Sequence, residues 1–197
     1  MKKKRLLAAL LICTAFSWQT GVQAAETIYE GLYQGTVTSG NGGVVFNNTG
    51  ESAIVKASTQ FINNEAYRGA AIYNYTGADL KVEDGVLFSG NTATGAAGGA
   101  VQNMGTAILG DNLIFDGNKA TWGGAAIYGG SRDGQGSSTT IGNNAIFKNN
   151  TLTDAQSYGG AIYLENDEQD TTSFVLGTNS YFEGNSAYQG GAIFINE

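Results

Sequence analysis

Apolar positions recur along this chain in three short clusters per unit, set apart by glycine, asparagine and polar runs. The first cluster is a β-favouring run: Ile54-Val55-Lys56, Leu80-Lys81-Val82, Ala107-Ile108-Leu109, Thr139-Thr140-Ile141 and Phe174-Val175-Leu176. The second ends in phenylalanine, as in Val86-Leu87-Phe88, Leu113-Ile114-Phe115 and Ala145-Ile146-Phe147, and asparagine follows that ring three residues later. The third is a block of small residues closed by Ile or Val: Gly69-Ala70-Ala71-Ile72, Gly98-Gly99-Ala100-Val101, Gly124-Ala125-Ala126-Ile127, Gly159-Gly160-Ala161-Ile162 and Gly190-Gly191-Ala192-Ile193. Successive phenylalanines are 27, 27, 32 and 35 residues apart (Phe61, Phe88, Phe115, Phe147, Phe182), a period that belongs to repeat architectures. Three short strands separated by turns make one coil, so the pattern predicts an all-β, right-handed parallel β-helix of five to six coils with three strands each.

Stacking explains why the same residue types return. Coils one strand spacing apart, about 4.8 Å, place each side chain over its equivalent in the next coil. Phe61, Phe88, Phe115, Phe147 and Phe182 then form an interior aromatic column, and Ile72, Val101, Ile127, Ile162 and Ile193 an apolar column on another wall. Asn64, Asn91, Asn118, Asn150 and Asn185 are expected at a corner, in left-handed backbone, pairing amide to amide along the stack. Ala66, Ala93, Ala120 and Ala187, with Leu152 as the exception, suit a cramped turn just beyond. The glycine pairs suit a sharp turn or a close approach between coils.

The remaining chain divides around this repeat. Residues 1–24 read as a secretory signal peptide: Lys2 to Arg5, an apolar stretch from Leu6 to Phe16, and Val22-Gln23-Ala24 before the cleavage point. Residues 25–53 read as a degenerate first coil that caps the core, since Gly42-Gly43-Val44-Val45-Phe46 echoes the third cluster without a preceding phenylalanine and asparagine pair. Residues 54–197 are the repeats. They stop directly after a third strand, which points to a fragment of a longer protein. Insertions between Asn150 and Gly159, from Gly129 to Ser138 and from Glu165 to Thr172 read as loops on the binding face.

Charge and composition narrow the function. Without the n-region, six basic residues face 17 acidic ones, a net charge of −11 that argues against nucleic acid and anionic lipid as partners. The single cysteine, Cys13, falls in the signal peptide, so the exported chain has no disulfide to support its core.

The alternation of these two tetrapeptides in register resembles the polymorphic outer-membrane protein repeat of bacterial autotransporter passenger domains, which pairs G-G-A-[IVL] with F-x-x-N. The resemblance covers residues 42–197. Three blocks match in full, and Gly69–Ile72 and Gly124–Ile127 carry alanine for the second glycine. It implies a β-helix displayed on or released from the outer membrane, commonly an adhesin, with membrane contact only through a C-terminal barrel that this chain does not include. It brings no catalytic residues and no cofactor.

Candidate chemistry is sparse. The chain has no histidine, so a Ser/His triad is impossible. A β-helical polysaccharide lyase or glycoside hydrolase is the alternative, because carboxylates can suffice for glycoside cleavage; a structural surface protein is the third. Asp84, Asp111, Asp116 and Asp133 read at different offsets within their coils, without an aligned pair. Glu165, Asp167, Glu168 and Asp170 offer oxygens enough for Ca²⁺ but lack EF-hand spacing, and a solvated charge run is the plainer reading. Trp122, Tyr128, Tyr158, Tyr163 and Tyr188 flank the glycine blocks, either as a surface row suited to a protein or glycan on a host or neighbouring cell, or as rings covering the wall. No catalytic residue is assigned.

Overall fold

Every strand pairing in the structure is parallel and joins a strand to its equivalent one unit away. The computed structural model describes residues 26–130, 134–166 and 170–196; the expected signal peptide lies outside them. Six turns of a β-solenoid result, with no helix among the described residues.

Three six-stranded walls run the length of the stack. The first contains Glu26–Tyr29, Ser52–Val55, Asp79–Val82, Thr106–Leu109, Ser138–Ile141 and Ser173–Leu176. The second contains Leu32–Gln34, Gln60–Ile62, Leu87–Ser89, Ile114–Asp116, Ile146–Lys148 and Tyr181–Glu183. The third contains Val45–Asn47, Ile72–Asn74, Val101–Asn103, Ile127–Gly130, Ile162–Glu165 and Ile193–Asn196. The expected cramped turn is itself a narrow ladder of two-residue strands, Glu65–Ala66, Thr92–Ala93, Lys119–Ala120 and Thr151–Leu152. Its alanines point inward and are buried, which lets the wall pass close to the core.

The phenylalanines stack in register, with ring centroids 5.1, 4.8, 4.9 and 4.7 Å apart from Phe61 to Phe182 and planes within 8° of parallel. Phe61, Phe88, Phe115 and Phe147 are fully buried. The opposite file of Ile72, Val101, Ile127 and Ile162 is equally buried and is extended by Val45. Alternation along the first wall turns Ala53 and Val55, Leu80 and Val82, Ala107 and Leu109 into the same core.

The corner asparagines form a satisfied polar file beside the rings. Nδ2 of Asn64, Asn91, Asn118 and Asn150 donates to Oδ1 of the next asparagine at 2.9, 3.0, 3.0 and 2.8 Å. The same Oδ1 accepts the backbone N–H of the preceding asparagine, as from Asn91 to Asn118 at 3.1 Å. The second Nδ2 proton goes back one coil to a ring residue's carbonyl, from Asn118 to Phe88 at 3.0 Å. Asn91, Asn118 and Asn150 thus each make four bonds, which removes the cost of taking a buried amide out of water. The left-handed residue is not this asparagine but the one before it: Asn63, Gly90, Gly117, Asn149 and Gly184 have φ of 51, 63, 65, 56 and 61°. Turning the chain one residue early leaves the ladder asparagine free to aim its amide along the stack.

The first coil follows the same plan with other letters. Tyr33 pairs with Phe61 and stacks on it at 5.4 Å, and Thr36 donates its backbone N–H to Asn64 Oδ1 at 3.0 Å. A second buried asparagine ladder, absent from the sequence reading, runs on the third wall: Asn47 donates to Asn74 at 2.7 Å and Asn74 to Asn103 at 2.8 Å. It ends on the Thr139 hydroxyl, 2.7 Å from Asn103 Nδ2. The leading glycine of each block makes the sharp turn. At Gly124, φ is 50° and an added Cβ would lie 2.1 Å from the Ile127 carbonyl oxygen.

Phe115→Ala is expected to cost about 3–5 kcal/mol, through lost burial and an unfilled gap between two rings. Asn118→Ala strands the amide and backbone donors of Asn91, at about 1–3 kcal/mol for each unsatisfied group. The exposed control Asn48→Ala is expected to stay within about 0.5 kcal/mol. Urea unfolding followed by Trp122 fluorescence, which reports the middle coils, measures all three; an Asn118→Ala midpoint equal to the control would contradict the ladder's role.

Candidate functional site

On the third wall the Ile/Val file points inward, so the next residue of each strand points out: Phe46, Tyr73, Gln102, Tyr128, Tyr163 and Phe194, all in register. This is a second, external aromatic file, interrupted once by Gln102. Phe46 and Tyr73 stack at 5.6 Å, Tyr128 and Tyr163 lie 5.6 Å apart, and Tyr163 and Phe194 5.7 Å.

Three of these outward rings are nevertheless covered, while Phe46 is exposed and Phe194 half-buried. Tyr73, Tyr128 and Tyr163 are 1, 4 and 3% exposed. Trp122 packs edge-on against Tyr128 and Tyr163 at 5.9 and 5.5 Å, and Tyr158 lies 4.9 Å from Phe194. Gly123 makes room, since a Cβ there would fall 2.8 Å from the Tyr163 ring. The expected surface row therefore divides: Tyr128 and Tyr163 are buried beneath it, Trp122 and Tyr158 are half-buried, and Tyr188 is exposed. Alternation fixes which side of the wall a ring leaves from; neighbouring side chains decide whether water reaches it.

Burial, joined by a hydrogen bond from its hydroxyl to the Glu165 carboxylate, pushes the Tyr128 phenol far above its ordinary value. Burial and the Glu165 charge push Tyr163 up to about 12. Beside them Arg68 lays its guanidinium 5.4 Å from the Tyr67 ring centroid.

The acidic candidates serve turns and surfaces. Asp84 and Asp111, read at different offsets, are in fact equivalent: each lies two residues after the inward residue that ends its first-wall strand, Val82 and Leu109, which pair. Asp84 Oδ1 accepts the backbone N–H of Asp111 at 2.9 Å, and Asp111 Oδ1 that of Asn143 at 2.7 Å. They are aligned because each carboxylate fastens the turn of the next coil. Asp116 pairs with Lys148 at 3.2 Å on the second wall. Of the calcium candidates, Glu165 is engaged with Tyr128, Asp170 is partly exposed, and Asp167 and Glu168, like Asp133, lie outside the described residues. Among the described residues no cluster of three or more His, Cys, Asp or Glu side chains is placed to hold a metal ion.

Variation in coil length is confined to this neighbourhood. From the first to the second wall the spacing is constant at six residues, from Val55 to Phe61, Val82 to Phe88, Leu109 to Phe115, Ile141 to Phe147 and Leu176 to Phe182. Into the third wall it ranges from eight residues, Asn64 to Ile72, to 12, Asn150 to Ile162. Out of it the range is eight, Val101 to Leu109, to 14, Ile127 to Ile141. Loops therefore border the aromatic face on both sides.

A solenoid whose period carries F-x-x-N and G-[GA]-A-I at fixed register defines a repeat-built β-helical domain. The family model of the Chlamydia polymorphic membrane protein (Chlamydia_PMP) repeat matches residues 112–130 and 179–196, so the chain carries that repeat at two sites. The first match runs from the turn before Ile114–Asp116 through the end of Ile127–Gly130, which is the second wall, the narrow ladder and the third wall of one coil. No curated protein and no solved structure matches the chain.

Because the fold keeps the Tyr128 and Tyr163 phenols protonated, their contribution to stability is complete below the unfolded value of about 10 and is lost as pH rises past it toward and beyond 12. The urea midpoint is expected to fall across that interval, and to fall less steeply in Tyr128→Phe, which keeps the ring and removes the ionisable hydroxyl. Equal slopes in the two proteins would show that Tyr128 is not the group responsible.

Proposed function

We propose that this chain is the displayed part of an exported, cell-surface β-helical protein and acts as an adhesin or interaction scaffold rather than an enzyme. The carrying observation is the asymmetry of the coils. The first and second walls keep one spacing throughout, while every change in loop length flanks the third wall and its aromatic outer face. A stacked core supplies a stiff support that tolerates such loops, and recognition residues concentrate where loops vary on a rigid scaffold. The repeat shared with the polymorphic membrane proteins supports a surface location, and the basic and apolar run of residues 1–24 supports export. The partner is a protein or glycan on a host or neighbouring cell. Nucleic acid is disfavoured by the acidic balance.

The test is binding of the purified chain to cell surfaces before and after shortening residues 153–157 and 134–137 to the length of the shorter coils. Shortening is expected to weaken binding by about tenfold or more, equivalent to about 1.4 kcal/mol, with the unfolding midpoint retained. Undiminished binding by the shortened chain, together with loss of binding on Leu87→Ser and Ile114→Ser of the second wall, would move recognition to the wrong face and sink the reading.

A further inference from the structure

Two residues before the leading glycine of each block the chain carries Tyr67, Ala96, Trp122, Ser157 and Tyr188. These positions are equivalent. The residues that follow them pair in parallel from coil to coil, Ala97 with Gly123, Gly123 with Tyr158 and Tyr158 with Gln189. The Gly69 N–H reaches the Ala97 carbonyl as the Gly98 N–H reaches that of Gly123, which brings the second coil into the same register. Where the chain enters the third wall, a ring therefore stands on the second, fourth and sixth coils and a small residue on the third and fifth. Packing sets this alternation. The Tyr67 ring rests against Gly95 of the next coil, where any Cβ would run into it, and Trp122 reaches Tyr163 of the next coil at 5.5 Å. A ring that spreads over the following coil leaves room there only for Ala96 or Ser157, which are 3 and 1% exposed. The rings themselves stay open to solvent: Tyr67 is 44% and Tyr188 67% exposed, and Trp122 is half-buried.

Two coils advance about 10 Å along the stack, so the three rings lie in a straight file about 19 Å long. Evenly spaced rings on a stiff axis match a polymer that repeats at the same interval. In a β-1,4-linked glucan each sugar advances close to one strand spacing and is turned over relative to the last, so every second sugar offers the same apolar C–H face. Tyr and Trp take such a face while their polar tips stay in water. Charge points the same way. Residues 94–97, 121–124, 156–159 and 187–191 contain no charged side chain, and Arg68 beside Tyr67 is held over that ring, 5.4 Å from its centroid. An uncharged strip on a chain of net charge −7 suits an uncharged ligand and turns away a polyanion. A proline-rich segment has a similar period, about 9.3 Å for three residues, but docks in grooves between rings, and here Tyr67 and Trp122 are laid across those intervals. We propose that Tyr67, Trp122 and Tyr188 form a linear platform for an uncharged β-1,4-linked glucan lying along the solenoid axis, successive rings stacking on every second sugar. The platform rests on the third-wall side being the recognition face and names the glycan that it reads.

Titration calorimetry of the whole chain with cellohexaose tests it, with cellotriose, maltohexaose and a decaproline peptide as comparisons and Trp122 fluorescence as a second readout. Roughly five sugars are needed to touch all three rings, whereas cellotriose reaches two. Cellohexaose is expected to bind about tenfold or more tightly than cellotriose, because the third contact is made within one complex. It is also expected to surpass maltohexaose, whose α-linkages curl the chain away from a straight file. Tyr188→Ala removes an exposed ring and is expected to lower cellohexaose affinity by about tenfold, to the cellotriose level. Cellotriose affinity is expected to change by only about twofold in that variant, since Tyr67 and Trp122 still serve it. Cellohexaose binding that is absent, no tighter than that of cellotriose or maltohexaose, or unchanged in Tyr188→Ala overturns the platform; tighter binding of decaproline overturns the sugar assignment in favour of a proline-rich partner. Cell-surface binding that persists without cellohexaose binding refutes this platform alone, whereas cellohexaose binding without cell-surface binding refutes the adhesin reading and leaves the platform standing.

Discussion

In-register repetition at a single coil spacing is the constraint on which the molecule depends. A buried amide is costly unless each of its protons and lone pairs is met, and a column of identical asparagines meets them by having each residue serve its neighbour. Asn64 through Asn185 do so with both side-chain and backbone donors. The phenylalanine file beside them needs the same register, since rings 4.7–5.1 Å apart and nearly parallel leave no allowance for slippage. A slip of one residue in any strand would turn its inward side chain to water and its polar neighbour to the core. Polar and apolar columns thus specify one another, and the fold does without disulfides.

That constraint divides the surface into conserved geometry and free geometry. Where the first wall meets the second, Asp84, Asp111 and Asn143 each tie down the next turn, and the connection keeps one length. Around the third wall the turn is made by the leading glycine of each block, and the chain on either side can lengthen without disturbing the ladders. The aromatic rings outside that wall then cover what the longer coils would otherwise leave open, with Trp122 and Tyr158 packed over Tyr128, Tyr163 and Phe194. A rigid support and an adaptable rim come from the same repeat.

Much of this was legible in the sequence, and the exceptions have physical reasons. The phenylalanine, asparagine and Ile/Val files could be read because each position tolerates one residue type and recurs at every coil. The first coil read as degenerate because Tyr33 and Thr36 fill the places of the phenylalanine and asparagine with different letters: a ring that stacks as well, and a backbone N–H that bonds whatever its side chain. The Asn47, Asn74, Asn103 ladder has three members before Gly129 and Leu164 replace it, too few to register as a period. Burial of Tyr128 and Tyr163 depends on contacts from Trp122 and Tyr158, several residues away in sequence, and alternation carries no information about such cover. Arg68 Nε and Gln102 Oε1, buried without a hydrogen-bond partner, belong to no motif; only packing shows them.

The corner amides also give the spiral a sense of direction. Every Nδ2 proton that passes between them travels the same way, from an earlier coil to a later one, so the carboxamide dipoles add instead of cancelling. One end of that file is donor-rich and the other is not. The first coil already closes the early end, where the Thr36 N–H meets Asn64 Oδ1, so the file can be lengthened only at its later end, by an acceptor placed over Asn185.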